Sequence, residues 1–133
     1  MEHRKPVIMV LDDNKEYIHS VKSLLGRQLP EFDVVCFTDA FRAVVQVESV
    51  NPNVLIIDML LDRFDGIKIL RTMRRKGITA PAIILSGYGV EAISKRICPE
   101  NHISKIIDKA QMSELLVTAI LDAHHSSESA MAE

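Results

Sequence analysis

The sequence predicts an α/β fold in which five parallel strands form one sheet between two layers of helices. Three stretches, Val7–Leu11, Val54–Ile57 and Ala82–Leu85, are unbroken apolar runs, which is typical of strands buried on both faces. The segments between these runs show helical periodicity, and short loops join the two kinds of segment. Strands that alternate with helices in this way favour a parallel sheet covered on both sides.

Two further stretches are less apolar and are predicted to be edge strands. Phe32–Phe37 is less uniform than the three central runs, and Ile103–Ile107 is interrupted by Ser104 and Lys105. Because edge strands are less buried, the second and fifth strands are expected on the outside of the sheet. With right-handed crossovers this gives the strand order 2-1-3-4-5, that of a flavodoxin-like three-layer sandwich with five helices.

Five amphipathic segments are predicted to be helices, and several of their ends carry typical capping residues. Thr38 or Asp39 can cap the second helix, Gly77 is a typical stop after the third, and Ser113 can cap the fifth. Residues 126–133 are small and polar and are expected to form a frayed end or linker stub, so residues 1–125 are predicted to be one domain. The predicted helices span 15–28, 39–49, 66–76, 90–98 and 113–125.

The composition is that of an ordinary globular domain. A net charge of −2 over 133 residues provides no overall field that would recruit nucleic acid or an anionic membrane. Cys36 and Cys98 are the only cysteines, and they lack the spacing of a metal site, as expected in a reducing cytosol. No apolar run approaches the roughly twenty residues of a membrane span. The chain is therefore expected to be cytoplasmic, without direct contact to nucleic acid or membrane.

Polar residues stand at the carboxyl ends of the predicted strands. Asp12 and Asp13 follow the first strand, Asp58 ends the third, Ser86 ends the fourth, and Lys109 follows the fifth. Each residue alone could have a purely structural role as a helix cap, a turn residue or a solvated side chain. Together they are expected to converge, because the carboxyl ends of parallel strands meet at one edge. Three crowded carboxylates need a cation, and oxygen ligands without Cys or His favour Mg²⁺.

These residue types indicate phosphoryl-transfer chemistry. A carboxylate can attack a phosphoryl group and become an aspartyl phosphate. A metal ion and a lysine can neutralise the phosphoryl charge, and a small hydroxyl can bind another oxygen. Asp58 is the expected nucleophile because it lies between the acidic pair on one side and Ser86 and Lys109 on the other.

The chain resembles the receiver domain of bacterial two-component systems over about residues 6–122. The segments that carry the resemblance are VIMVLDDNKEY, NPNVLIIDMLLDRFDGIKIL, AIILSGYG and IIDKAQMSELL. The resemblance implies roles for individual residues: an acidic metal pair in Asp12 and Asp13, the phospho-acceptor in Asp58, a backbone metal ligand in the carbonyl of Leu60, the switch hydroxyl in Ser86, and the phosphate-binding lysine in Lys109.

Four positions depart from the pattern that is usual in this family. Ala110 follows the lysine where the family usually has Pro, and Ile106 occupies the position of the switch aromatic residue. Asp62 stands where Pro is common, and Pro99-Glu100-Asn101 replaces the usual Gly-Ala pair. The site residues are thus complete, whereas the side of the domain that signals onward is atypical.

Two positions that influence the dephosphorylation rate in the family carry Leu60 and Tyr88. Leu60 cannot hydrogen-bond an attacking water, and it would cover the phosphoryl group with apolar surface. Tyr88 is bulky and can screen the site further. A long-lived phosphorylated form is therefore expected.

The resemblance implies a phospho-acceptor switch that assists its own phosphorylation and dephosphorylation, and not an enzyme in the usual sense. Its donor would be a histidine kinase or a histidine phosphotransfer protein, and its target a downstream effector protein or a fused output domain. Whether the chain forms a homodimer is left open by the sequence. The alternative is a pseudo-receiver that signals without phosphate. Ala110 and Ile106 mildly favour this alternative, whereas Asp13, Asp58 and Lys109 argue against it. A nucleotide-binding enzyme is disfavoured because Asp-Asp-Asn follows the first strand where a Gly-rich loop would be needed.

Overall fold

The computed structural model describes residues 4–61, 64–87, 89–94 and 101–132. Its strands are Val7–Leu11 (β1), Asp33–Phe37 (β2), Val54–Asp58 (β3), Leu60–Leu61 (β4), Phe64–Asp65 (β5), Ala82–Ser86 (β6) and Ile103–Asp108 (β7). Five of them form a parallel central sheet in the order β2-β1-β3-β6-β7. This confirms the predicted order, because β4 and β5 are two-residue strands that form a separate antiparallel hairpin.

Five α-helices lie in the described residues, and side chains cap the first three at their N-termini. Asn14 accepts a hydrogen bond from the backbone N–H of Tyr17, Asp39 caps α2, and Asp65 caps α3. Gly77 follows α3 with a φ of 93°, as the predicted stop requires. The helices are Lys15–Gln28 (α1), Ala40–Val50 (α2), Gly66–Arg75 (α3), Val90–Ser94 (α4) and Met112–Ala132 (α5), and a 3₁₀ turn spans Lys109–Gln111.

The hydrophobic core lies on both faces of the sheet, which explains the unbroken apolar runs. Ile8 and Val10 of β1 face one cluster, whereas Met9 and Leu11 face the other. The first cluster includes Val21 and Leu25 of α1 and Leu116 and Ile120 of α5. The second includes Val47 of α2 and Leu70 and Met73 of α3. Burial of each such side chain stabilises the folded state by roughly 1.5–3 kcal/mol. The core therefore holds the carboxyl ends of the strands in place.

The C-terminal helix is longer than predicted. The predicted helix ends at residue 125, whereas α5 continues to Ala132, so residues 126–132 are helical. That these residues form a tail or linker stub stays a prediction. The side chain of His124 supports this extension: its Nε2 lies 2.6 Å from Oε1 of Glu128, and its ring packs edge-on against Phe32. The helix also begins at Met112, so Ser113 is not its cap. A domain boundary at residue 125 stays a prediction.

Arg74 fastens the end of α3 to the loops beside it. Its guanidinium donates hydrogen bonds to the carbonyl oxygens of Ile78 and Ala80 at 3.0 and 2.6 Å, and to that of Asn101 at 3.0 Å. Arg74, a basic residue in the last turn of α3, therefore has a structural role within the fold.

Parts of three predicted features lie outside the described residues: residues 95–98 of the predicted fourth helix, Asp62, and the pair Pro99 and Glu100. Among the described residues, no helix combines the length and the apolarity that crossing a bilayer requires.

Candidate functional site

Asp12 and Asp13 lie where β1 leaves the sheet. The backbone N–H of Asp12 donates to the carbonyl of Phe37 at 3.1 Å, which ties the turn to β2. The Asp12 carboxylate is buried and accepts from the backbone N–H of Asn14 at 2.9 Å. Asp13 is exposed. The apolar strand thus places two adjacent carboxylates at its carboxyl end, one inside and one at the surface.

Asp58 ends β3, and the chain after it turns sharply into α3. The Asp58 residue is 4% exposed, and its Oδ1 accepts from the backbone N–H of Leu60 at 3.3 Å. The hairpin of β4 and β5 follows, and the N–H of Gly66 donates to the carbonyl of Met59 at 2.8 Å. A side chain at position 66 would overlap the backbone of Asp58, so only glycine allows α3 to begin this close to β3.

Lys109 connects the two buried carboxylates. Its Nζ lies 2.7 Å from Oδ2 of Asp12 and 3.2 Å from Oδ2 of Asp58. No cis peptide occurs in the described part of the chain, so the Lys109–Ala110 bond is trans. The carboxylate of Asp108 accepts from the N–H of Ala110 at 2.9 Å and caps the 3₁₀ turn. The lysine thus reaches both aspartates without the proline that is usual in the family.

Tyr17 is a site residue that the sequence patterns did not reveal. Its hydroxyl donates to the carbonyl oxygen of Lys109 at 3.1 Å, and the Nζ of Lys109 lies 4.3 Å from the centroid of its ring. The two residues are 92 positions apart, and a tyrosine in the first turn of a helix carries no local signal for such a contact.

The electrostatic environment of the site favours a cation. Burial, followed by the charge of Asp12, raises the pKa of Asp58 to about 6, although Lys109 opposes this rise. Burial alone would lower the pKa of Lys109, but its hydrogen bond to Asp12 and the charges of Asp12 and Asp58 raise it overall. The pKa of Tyr17 is also raised, first by burial and then by the negative charge of Asp12, so its hydroxyl stays protonated. Lys109 is therefore charged at neutral pH, and it compensates only part of the negative charge.

The three aspartates are placed so that they could hold a divalent metal ion. Asp12, Asp13 and Asp58 can each offer one carboxylate oxygen, and these oxygens lie within 4.8 Å of one another. Carboxylate oxygens without Cys or His are the ligands that Mg²⁺ prefers. The set also contains one exposed member, Asp13, so a bound ion would remain open to water and to a phosphate oxygen. The residues present therefore fit the expected cofactor.

Of the remaining predicted site residues, Ser86 and Leu60 lie at the same edge of the sheet. Ser86 is fully buried at the end of β6, in register with Asp108 of β7. Ile106 is half-buried and packs against the core cluster of α2 and α3. Leu60 is 56% exposed, beside the acceptor. Tyr88 lies outside the described residues.

Comparisons with known proteins point to one family. The family model of the response regulator receiver domain matches residues 8–121. The chain is 22% identical over 122 residues to the hybrid signal transduction histidine kinase D of Dictyostelium discoideum, with 90% of this chain and 8% of that protein covered. It is 24% identical over 110 residues to protein PilG of Pseudomonas aeruginosa, with 79% and 80% covered.

Solved structures show the same fold. The receiver domain of a response regulator from Methanospirillum hungatei matches with a TM-score of 0.82 at 18% identity, with 95% of this chain and 98% of that one covered.

The chain spans only 34% of the alkaline phosphatase synthesis transcriptional regulatory protein PhoP of Bacillus subtilis, to which it is 25% identical over 84 residues. The match to the family model covers most of the 133 residues. The chain therefore belongs to the response regulator receiver domain family.

Proposed function

We propose that this receiver domain accepts a phosphoryl group on Asp58. The observation that supports the proposal most strongly is the position of Lys109, whose ammonium contacts both Asp12 and Asp58. A lysine that touches the acceptor carboxylate is placed to bind the phosphoryl oxygens once they replace the carboxylate as its partner. The buried acceptor, the acidic pair and the lysine thus provide what an aspartyl phosphate needs.

The proposed reaction is an in-line transfer between two nucleophiles. A carboxylate oxygen of Asp58 forms a bond to phosphorus, and the phosphorus–nitrogen bond of a phosphohistidine donor breaks. The electron pair of that bond stays on the imidazole nitrogen. Lys109 neutralises charge on the transferred group, and the raised pKa of Asp58, about 6, still leaves the carboxylate largely ionised at neutral pH.

The expected cofactor is Mg²⁺, held by Asp12, Asp13 and Asp58 and by the backbone carbonyl of Leu60. When bound, this ion would supply charge neutralisation for the phosphoryl oxygens. The chain itself orients the acceptor, through the N–H of Leu60, and supplies the cation of Lys109.

The partners follow from the same chemistry. The donor is a histidine kinase or a histidine phosphotransfer protein, and the target is an effector protein or an output domain of a longer chain. Ser86 and Lys109 are the proposed sensors of the phosphoryl group. Because Ile106 has no polar tip, we propose that the signal leaves through the loop after Ser86 and through α4.

Acetyl phosphate tests the proposal without a known kinase. Intact mass after incubation with acetyl phosphate and Mg²⁺ should show one added phosphoryl group, and chelation of the metal should prevent it. Amide exchange with beryllium fluoride and Mg²⁺ should change in the loop after Ser86 and in α4. A protein that is never labelled, yet keeps its fold, would favour the pseudo-receiver alternative.

A further inference from the structure

Tyr17 contacts both ends of Lys109. Its hydroxyl donates a hydrogen bond to the backbone carbonyl of Lys109 at 3.1 Å, while its ring lies 4.3 Å from the Nζ of the same residue. The first contact fixes where the backbone stands after β7. The second places the aromatic face beside the ammonium group, which also contacts Asp12 and Asp58. A single side chain of α1 therefore contacts both the backbone and the ammonium group of Lys109.

Asp12 and Asp58 hold the ammonium of Lys109 at its tip, but neither contact restricts the stem or the backbone of the lysine. A lysine has a flexible four-carbon stem and loses considerable rotamer entropy when it is fixed. The residue that follows is Ala110, which restricts the backbone far less than a proline would. The N–H of Ala110 is held by Asp108, but that contact does not reach the lysine side chain. Within the described residues, Tyr17 provides the contact that reaches both parts of Lys109.

We propose that Tyr17 is a positioning residue for phosphoryl transfer, which holds Lys109 where the phosphoryl oxygens of the acceptor will lie. The proposal rests on the proposed function of Asp58. In the free protein the ring and the two carboxylates together hold the ammonium. In the transfer step the ammonium would follow the phosphoryl oxygens, and the aromatic face would keep it from swinging into solvent.

A purely structural role for Tyr17 makes different predictions. Tyr17 also packs against the core cluster that α1 shares with α5, so its removal could lower stability without any specific effect on Lys109. Leu121 is the matched control, because it is likewise partly buried against this cluster but belongs to α5. Tyr17→Phe removes the hydroxyl but keeps the ring, and so separates the effect of the hydrogen bond from that of the aromatic contact.

The first measurement is the rate of labelling by acetyl phosphate with Mg²⁺ at saturating donor. We expect Tyr17→Leu to lower the rate about tenfold and Tyr17→Phe to lower it about threefold, through loss of one hydrogen bond. Leu121→Ala should leave it within about twofold of wild type, because an effect on folding alone does not alter the chemistry of the folded fraction. In a Lys109→Met background, Tyr17→Leu should cause no further loss.

The second measurement does not depend on phosphorylation. In wild type and in Tyr17→Phe, NMR of ¹³C-labelled lysine should show the ε-CH₂ protons of Lys109 shifted upfield by the ring current. In Tyr17→Leu they should return to the position of an ordinary lysine. Failure of wild type to be labelled would contradict the proposed function itself. A labelled wild type whose rate and Lys109 resonance are unchanged in Tyr17→Leu would overturn only the role of Tyr17, as would additive losses with Lys109→Met.

Discussion

Gly66 lies against the backbone of Asp58, so closely that a Cβ atom at position 66 would overlap the carbonyl oxygen of Asp58 and lie 3.0 Å from its carbonyl carbon. The contact is between backbone atoms, which cannot rotate away as a side chain would. The first residue of α3 is thereby coupled to the conformation of β3 at Asp58.

Gly66→Ala should therefore destabilise the domain by about 3 kcal/mol or more, because the overlap forces the backbone apart. Gly26 is the matched control: it is exposed in α1, and a Cβ there meets nothing within 4 Å. Gly26→Ala should stabilise the domain by about 0.5–1 kcal/mol. Urea denaturation measures both free energies of unfolding. Equal effects of the two substitutions would contradict the close approach of Gly66 to Asp58.

Magnesium should raise the melting temperature at neutral pH. The ion would bind the folded state, where the three carboxylates converge. The gain would follow mass action: about 2.7 kcal/mol at a hundredfold excess over Kd. Asp13→Asn should remove most of this gain, because it deletes one charged ligand without disturbing the buried contacts of Asp12 and Asp58. Thermal unfolding with and without Mg²⁺ measures the effect. The same gain in wild type and in Asp13→Asn would count against a metal site at these residues.

In the metal-free protein, the contribution of Asp58 to stability should rise as the pH falls from about 6 towards 4. The pKa of Asp58 is raised to about 6 in the folded state, so folding favours its protonated form, and the ionised form destabilises the protein above that pH. A pKa that rises on folding from the ordinary value of about 4 to about 6 corresponds to about 3 kcal/mol of lost stability at neutral pH. The window of the change therefore runs from about pH 6 down to the pKa of the unfolded chain, about 4.

Asp58→Asn isolates this contribution. The variant should be more stable than wild type at pH 7 without metal, and the difference should shrink as the pH falls through 6. Denaturation curves at several pH values, with EDTA present, give the comparison. A difference that is independent of pH would show that Asp58 does not titrate in this window.

The phosphorylated form should decay slowly. Leu60 is 56% exposed beside the acceptor, and its side chain offers no hydrogen bond to an attacking water. Leu60→Asn should speed the loss of the phosphoryl mass about tenfold, the effect of roughly 1.4 kcal/mol in a transition state. Leu115→Asn, at an exposed leucine of α5, is the control and should change nothing. Rapid decay in wild type that Leu60→Asn does not alter would contradict the prediction that Leu60 slows hydrolysis.

The sheet order and the convergence of the site residues were predictable because both follow from local patterns. The apolar runs of β1, β3 and β6 identify central strands, and the polar residue that ends such a run must lie at the carboxyl edge. Asp12, Asp58 and Lys109 could therefore be placed together before any contact was known, and Lys109 does contact both aspartates.

Contacts between distant segments were not predictable in this way. Tyr17 contacts Lys109 across 92 positions, and Arg74 reaches the carbonyl of Asn101 across 27. Neither arrangement leaves a periodic signal in the sequence. The β4–β5 hairpin was missed for a different reason, because strands of two residues are too short to show alternation. The length of α5 was underestimated because its last turns are polar, and the contacts of His124 that favour helix there are tertiary or depend on Glu128.

The measurement that tests the central claim most directly is the intact mass of three proteins after incubation with acetyl phosphate and Mg²⁺. Wild type should gain one phosphoryl group and Asp58→Asn none. Asp39→Asn is the control: Asp39 is an exposed carboxylate that caps α2, asparagine preserves such a cap, and the variant should be labelled like wild type. A phosphoryl group that still appears on Asp58→Asn would contradict the assignment of Asp58 as the acceptor.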